Sequence, residues 1–208
     1  MTLDLPDELA LPLASGRPYW YWLGGRPALD LVNTLRERWW RRVETLVTTD
    51  DLGQWLVAAG LLDEPGEATV AELERARALR EALDAAVVAV TEDRPLPAGT
   101  DDALRAVLAA APPHDVVALT PEGIRARVDR GGTPVGRALA AVALDAAAML
   151  GPEERGRVRI CASSSCSARF FDRSPAGRRR WCSMQACGNV EKARRHRRRA
   201  RDERQERV

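Results

Sequence analysis

Four cysteines stand at 161, 166, 182 and 187, in a C-x4-C-x15-C-x4-C arrangement. Two close pairs supply two thiolates each from tight loops, and the 15-residue spacer is long enough to return the chain. That is the requirement of a tetrahedral metal site. The spacing reads as one structural Zn²⁺ per chain, ligated by Cys161, Cys166, Cys182 and Cys187. A closed four-cysteine site keeps no position for a reactive water, so the zinc is not catalytic. Disulfides are the alternative, but nothing in the chain points to an oxidising compartment. A redox pair is disfavoured because the spacing is not C-x-x-C.

Cationic residues crowd the same region. From Arg155 to Val208 there are 17 basic and 5 acidic residues, whereas Met1 to Glu154 holds 15 basic and 25 acidic. The formal charge of +2 therefore hides a net +12 part joined to a net −10 part. Such asymmetry suggests a polyanion-binding region attached to something else. Glu191 to Arg207 is helical in composition, with Lys192, Arg194, Arg195, Arg198 and Arg199 among the cations nearly all round it. A helix without an apolar stripe has no face to dock on a core. Tied to a zinc module, it reads as a nucleic-acid contact, helped by Arg178, Arg179 and Arg180. These three arginines also have a local use, since four thiolates on Zn²⁺ carry a formal −2 that nearby guanidiniums offset.

The elements that must position these groups follow from punctuation. In the module, Arg169 to Asp172 and Arg179 to Trp181 read as strands around a Ser174-Pro175-Ala176-Gly177 turn. A helix follows, starting either after Ser183 or at Asn189. Large apolar residues are few (Phe170, Phe171, Trp181, Met184), so metal binding must supply most of the module's folding free energy. The acidic part is mainly helical. Helices are expected from Pro27 through Trp39, over Leu52 to Ala59 capped by Thr49 or Asp50, over Ala68 to Thr91, from Asp101 to Pro112, and over Val135 to Leu150. A β-hairpin is expected between Val116 and Val128 around Thr120-Pro121-Glu122-Gly123. Residues 1–18 read as a Pro-rich arm. The fold class is thus mainly α with a small antiparallel β element, followed by a four-cysteine zinc module of hairpin plus basic helix. The expected domains are 1–152 and 153–208.

The acidic part offers little chemistry. It has one histidine, His114, read as a loop residue, and no glycine-rich phosphate loop. Asp30, Asn33, Thr34 and Glu37 are spaced to share one helical face. That face is either solvated or the polar lining of an effector pocket walled by Trp20, Trp22 or Trp39. With no nucleophile–base pair, an enzyme is not expected. The longest apolar stretch, Leu139 to Gly151, is broken by Asp145 and is shorter than the ~20 residues a membrane helix needs. A soluble cytoplasmic protein with no membrane association is the expectation.

Longer strings carry a resemblance. Cys161-x4-Cys166, Phe170-x-Asp172-x-Ser174, Arg179-Arg180-Trp181-Cys182-Ser183-Met184 and Cys187-Gly188-Asn189 together resemble the CGNR zinc-finger family. Leu29-Asp30-Leu31-Val32-Asn33-Thr34-Leu35, Asp51-Leu52 and Trp55 through Gly60-Leu61-Leu62 resemble the ABATE domain that precedes that finger. The resemblance implies a stress-related bacterial transcription regulator with a DNA-binding finger, and it implies the four cysteines as zinc ligands. One departure stands out: the fourth letter of the naming motif is Val190 rather than Arg. The expected function is a zinc-dependent regulator bound to duplex DNA at the nucleoid. An RNA-binding or ribosome-associated zinc protein is the alternative. A small-molecule effector and a homodimer are left open as further partners.

Overall fold

The computed structural model describes residues 20–121 and 123–205. The Pro-rich arm, Glu122 of the expected turn, and the side chain of Arg199 lie outside the described residues. The chain is mainly α, about 46% helical with small antiparallel sheets. Among the described residues no helix is long and apolar enough to cross a membrane.

Two compact units form. One runs from Leu46 to Gly156; the other joins the described residues up to Thr45 with those from Arg157 onward. The division expected at 152/153 is one of sequence; in the packing, the first described stretch of the acidic part clusters with the cysteines. The physical reason lies in α1 (Pro27–Val32), whose Ala28, Leu29, Leu31 and Val32 are all buried.

The Leu46–Gly156 unit is built from α2 (Thr49–Ala58), α3 (Val70–Thr91), α4 (Thr100–Ala109), the hairpin β3 (Pro113–Thr120) and β4 (Gly123–Arg130), and α5 (Pro134–Met149). The helix boundaries follow local chemistry. The cap of α2 is Thr48, one residue before the expected Thr49, because Asp51 returns a bond to the Thr48 backbone and closes a reciprocal capping box. Thr69 and Glu72 do the same for α3. Fully buried Leu52, Trp55, Leu56, Leu79, Leu83 and Leu139 fill the core, and the alanines of α5 (Ala140, Ala143, Ala146) let its backbone approach. Gly132, at φ +81°, cannot carry a side chain, since a Cβ would meet the Ala110 carbonyl oxygen at 2.4 Å. The hairpin pairs in the expected place, with Leu119 opposite Ile124. It extends further than expected and takes in His114, which sits in the ladder opposite Asp129 rather than in a loop.

The second unit holds α1, the short pair β1 (Leu35–Arg36) and β2 (Val43–Glu44), the pair β5 (Val158–Ile160) and β6 (Arg169–Phe171), and α6 (Asn189–Gln205). The helix expected from Pro27 through Trp39 stops at Val32, and the chain turns into β1. Thr34 supplies one reason: its hydroxyl and amide both bond to the Leu31 carbonyl, which ends the α pattern in a tight turn. Thr45 then closes the β1–β2 pair by donating its amide and hydroxyl to the Thr34 carbonyl. In the finger, β6 pairs with β5 rather than with residues 179–181: Val158 faces Phe171 and Ile160 faces Arg169. Among the described residues, 179–181 make one backbone-to-backbone bond, Ala162 amide to Arg180 carbonyl, and no ladder.

Candidate metal centre and basic surface

The four cysteines are free thiols, all buried. Their sulfurs lie within 4.8 Å of one another. Cys166 Sγ and Cys182 Sγ are 3.8 Å apart, and Cys182 Sγ and Cys187 Sγ are 3.6 Å apart. A tetrahedron with Zn–S bonds of ~2.3 Å has edges of about 3.8 Å, so the cage fits zinc. A disulfide needs about 2.05 Å between sulfurs, which these contacts exclude. Protonation argues the same way. The Cys161 thiol is pushed down by hydrogen bonding from Cys166, Cys182 and Cys187, while Cys182 and Cys187 are pushed up, first by the same contacts with Cys161. One thiolate here opposes the next. Four buried thiolates this close need a metal cation between them, and the geometry of the cage is that of a single structural zinc.

Local sequence explains each ligand's place. Cys161 follows β5, its amide bonded to the Ala168 carbonyl, and the Ser163 carbonyl accepts the Cys166 amide in the connecting knuckle. Ser183 caps a π-helical turn, Met184–Gly188, that presents Cys187 and runs straight into α6. Both helix starts foreseen from sequence are thus used in succession. Asp172 sets the path back from β6 to Cys182: its buried carboxylate accepts from the Ser174 amide (3.0 Å) and the Arg179 amide (2.8 Å). Burial raises this acid, but the bonds from Ser174 and Arg179 outweigh it, so its pKa falls below the ordinary range. Leu23 and Trp181 pack against the cluster of cysteines, Ala168 and Phe170.

Asn33 has a role the sequence did not reveal. Its amide donates to the Arg169 carbonyl (2.9 Å) and its carbonyl oxygen accepts the Arg169 amide (2.8 Å). A side chain thus pairs with the open edge of β6 as a neighbouring strand would, and the Gly24 carbonyl extends the pairing to the Phe171 amide. Gly24 must be glycine, because a Cβ would lie 2.7 Å from the Asp30 amide nitrogen.

The other members of the expected quartet do not share a helical face, since α1 ends before Asn33. Asp30 Oδ1 accepts the Gly24 amide at 2.8 Å, Thr34 is buried in its turn, and Glu37 is held by Arg41 through two 2.7 Å bonds. Asn33 and Glu37 do line a cavity with Tyr21, Arg36, Ser165 and Cys166, but it measures about 20 Å³. That is room for about one water. Of the expected walls, Trp20 is buried and Trp22 and Trp39 are exposed.

The basic residues fall into two groups. Arg179 is turned into the module, donating to the Cys182 carbonyl at 2.6 Å and lying 5.0 Å over the Phe170 ring. Arg194 bonds Ser164 Oγ and the Glu191 carboxylate, both at 2.9 Å, and Glu191 in turn accepts from Ser163 Oγ at 2.8 Å. These bonds fasten the first turn of α6 to the cysteine knuckle. By contrast Arg178, Arg180, Lys192, Arg195, Arg197 and Arg198 are exposed without such a bond to the module, although Arg180 lies 5.4 Å over Trp181; Arg179, despite its bond to Cys182, is exposed as well. Val190, in the first turn of α6, is half-buried.

A four-cysteine zinc cage with a cationic helix fastened to it defines a zinc-finger protein. Comparison with known families refines this. The ABATE model, described as "Putative stress-induced transcription regulator", matches residues 25–153, and the CGNR zinc-finger model matches residues 157–200. The chain belongs to the ABATE family and carries a CGNR zinc finger at its C-terminal side. The curated proteins contain no match to it. The compact unit around the cysteines draws on both matched segments, taking residues 25–45 from the first.

Proposed function

We propose that the chain is a zinc-dependent, DNA-binding transcription regulator acting at the nucleoid in the cytoplasm, with no catalytic role. The observation that supports this reading is α6. Its first turn is fastened to the zinc knuckle through Glu191, while Lys192, Arg195, Arg197 and Arg198 stay exposed. A helix so charged is poorly suited to a protein core and well suited to phosphates. Arg178 and Arg180 extend the cationic surface, whereas Arg179 and Arg194 act mainly inside the module. Neither matched family is described as an enzyme family.

The test is affinity for duplex DNA as a function of salt, with the full chain loaded with zinc. Neutralising about four to six phosphates gives a slope of log K against log salt of roughly −4 to −5. Alanine at Arg195 or Arg198 should flatten it by about one unit, while alanine at Arg179 should instead loosen the module. A slope near zero overturns the reading. Structured RNA competing more strongly than duplex DNA would replace DNA by RNA as the partner.

A further inference from the structure

Between β1 and β2 the chain runs Glu37-Arg38-Trp39-Trp40-Arg41-Arg42, and it lifts two indoles into solvent. Trp39 is 53% exposed and Trp40 is 66% exposed. Large aromatics left in water need a reason, and this turn is built rather than loose. Glu37 and Arg42 both adopt the left-handed region, at φ +48° and +51°, which non-glycine residues rarely enter. The Glu37 carbonyl accepts the amides of Trp40 (2.8 Å) and Arg42 (3.1 Å). Arg41 closes onto the Glu37 carboxylate with a two-pronged bond. Arg38 is anchored from beneath by the Val32 carbonyl at 3.1 Å. Backbone strain held by surrounding bonds is common where a loop presents groups to a ligand.

The turn belongs to the zinc unit. The Arg169 guanidinium lies 4.8 Å from the Trp39 ring centre, and Arg169 also bonds the Ser167 carbonyl, next to the ligand Cys166. On the other side of that ligand, Ser163 and Ser164 hold Glu191 and Arg194 of α6. The indoles and the cationic helix are thus fastened to the same knuckle. Four arginines and one glutamate between Arg36 and Arg42 give the turn a net +3. An indole face beside positive charge is the chemistry that stacks on nucleobases while phosphates lie alongside.

We propose that Trp39 and Trp40 form a base-stacking site of the finger, taking the face of a nucleobase that is unpaired or is unstacked at a distorted step. The inference rests on the nucleic-acid reading of α6 and adds to it a contact that does not depend on charge. Trp40 is the cleaner probe, because Trp39 is also stacked on Arg169.

The experiment measures binding of the zinc-loaded full chain to a plain duplex and to the same duplex carrying one unpaired base, across a salt series. Trp40→Ala should weaken binding about 5- to 100-fold on the substrate with the unpaired base, with the salt slope unchanged. Trp40→Phe should retain most of the affinity. Arg42→Ala should instead flatten the slope. Zinc content and helical signal of each variant report the fold. A larger loss on the plain duplex would place the indole between stacked steps of a distorted helix, still as a base contact. Wild-type affinity in both Trp40→Ala and the Trp39→Phe, Trp40→Ala double variant overturns the proposal while leaving the α6 reading intact. So does loss of self-association with nucleic-acid affinity unchanged, which would make the turn a protein contact. No binding by the wild type to either substrate would instead remove the nucleic-acid reading itself.

Discussion

The unit between Leu46 and Gly156 and the unit around the cysteines are held by different physics. The first buries leucines, alanines and one tryptophan between helices, and the buried polar side chains among its described residues are Glu72 of a capping box, Arg80 and Thr100. The second has a short supply of aliphatic core and substitutes sulfur, guanidinium and amide contacts. Among its described residues are five guanidinium–aromatic contacts, such as Arg36 at 3.5 Å over Tyr21 and Arg26 at 5.2 Å over Phe171. Proteins ordinarily show about one per 70–80 residues. Buried Arg169 and Asp172 also sit where an ordinary core would place leucine. The lesson is that a unit which spends its charge and aromatics on a surface must take its stability from a metal and from well-satisfied polar contacts. Such a unit should be far more sensitive to single polar losses than the helical one.

Removing the zinc breaks the comparison most sharply. A structural Zn²⁺ contributes about 10–16 kcal/mol at neutral pH in small fingers, more than the net stability of most domains. Chelation, or Cys182→Ser, should unfold β5, β6 and α6, and with them α1 and the β1–β2 turn, whose partner is β6. The helices α2 to α5 should persist. Five of the six tryptophans (Trp20, Trp22, Trp39, Trp40 and Trp181) lie in the zinc unit, and only Trp55 in the other. Chelation should therefore shift tryptophan emission to the red while most of the far-ultraviolet helical signal remains. Loss of the whole helical signal would show that the units fold as one.

Asn33→Ala sharpens the comparison at one residue. It strands the amide and carbonyl of Arg169 in a buried setting, at about 1–3 kcal/mol for each group. A loss of about 2–4 kcal/mol is expected in the zinc unit alone. Zinc affinity should fall by one to three orders of magnitude, while thermal unfolding of α2 to α5 is unmoved. Asn33→Asp should be nearly as harmful, because a carboxylate cannot donate to the Arg169 carbonyl. An unchanged zinc affinity in both variants would mean that β6 does not need its side-chain partner.

What was legible in the sequence divides along the same line. The helices of the apolar unit were readable because apolar residues recur at helical spacing in α3 and α5, and burial is what places them. The zinc ligands were readable because spacing alone dictates a tetrahedral site. The packing of α1 on the finger was not readable, since it depends on one asparagine meeting a strand 136 residues away in sequence. Periodicity misled at Val32: Leu35 continues the apolar pattern, but the Thr34 turn overrides it. The β5–β6 pairing was missed because Val158 and Ile160 lie before the first cysteine, outside the segment that the spacing marks. For Arg179 and Arg194, composition counted cations without showing which were already committed to Cys182 and Glu191.

The smallest expected effect concerns Glu72, a buried carboxylate that ties two helices of the apolar unit together. It accepts from the Thr69 amide and hydroxyl, both at 2.8 Å, and bonds the Thr133 hydroxyl at the start of α5. Burial raises its pKa, but the bonds from Thr133 and Thr69 prevail and hold it below the ordinary glutamate value. A carboxylate depressed in the folded state contributes stability that is fully present above its unfolded pKa of about 4.3. That contribution is lost as pH falls through the lower folded value. Glu72→Gln keeps an acceptor for the capping box but gives up the charge-assisted bonds, so the loss at pH 7 should be about 1 kcal/mol. That is a fall of about 3–6 °C in the unfolding midpoint of α2 to α5. The gap between variant and wild type should shrink as pH drops below 4 and vanish once Glu72 is protonated in the folded protein. A gap that stays constant down to pH 2.5 would show that Glu72 acts by shape alone. Zinc affinity near neutral pH should not change, and a change there would mean that polar losses in the apolar unit reach the finger.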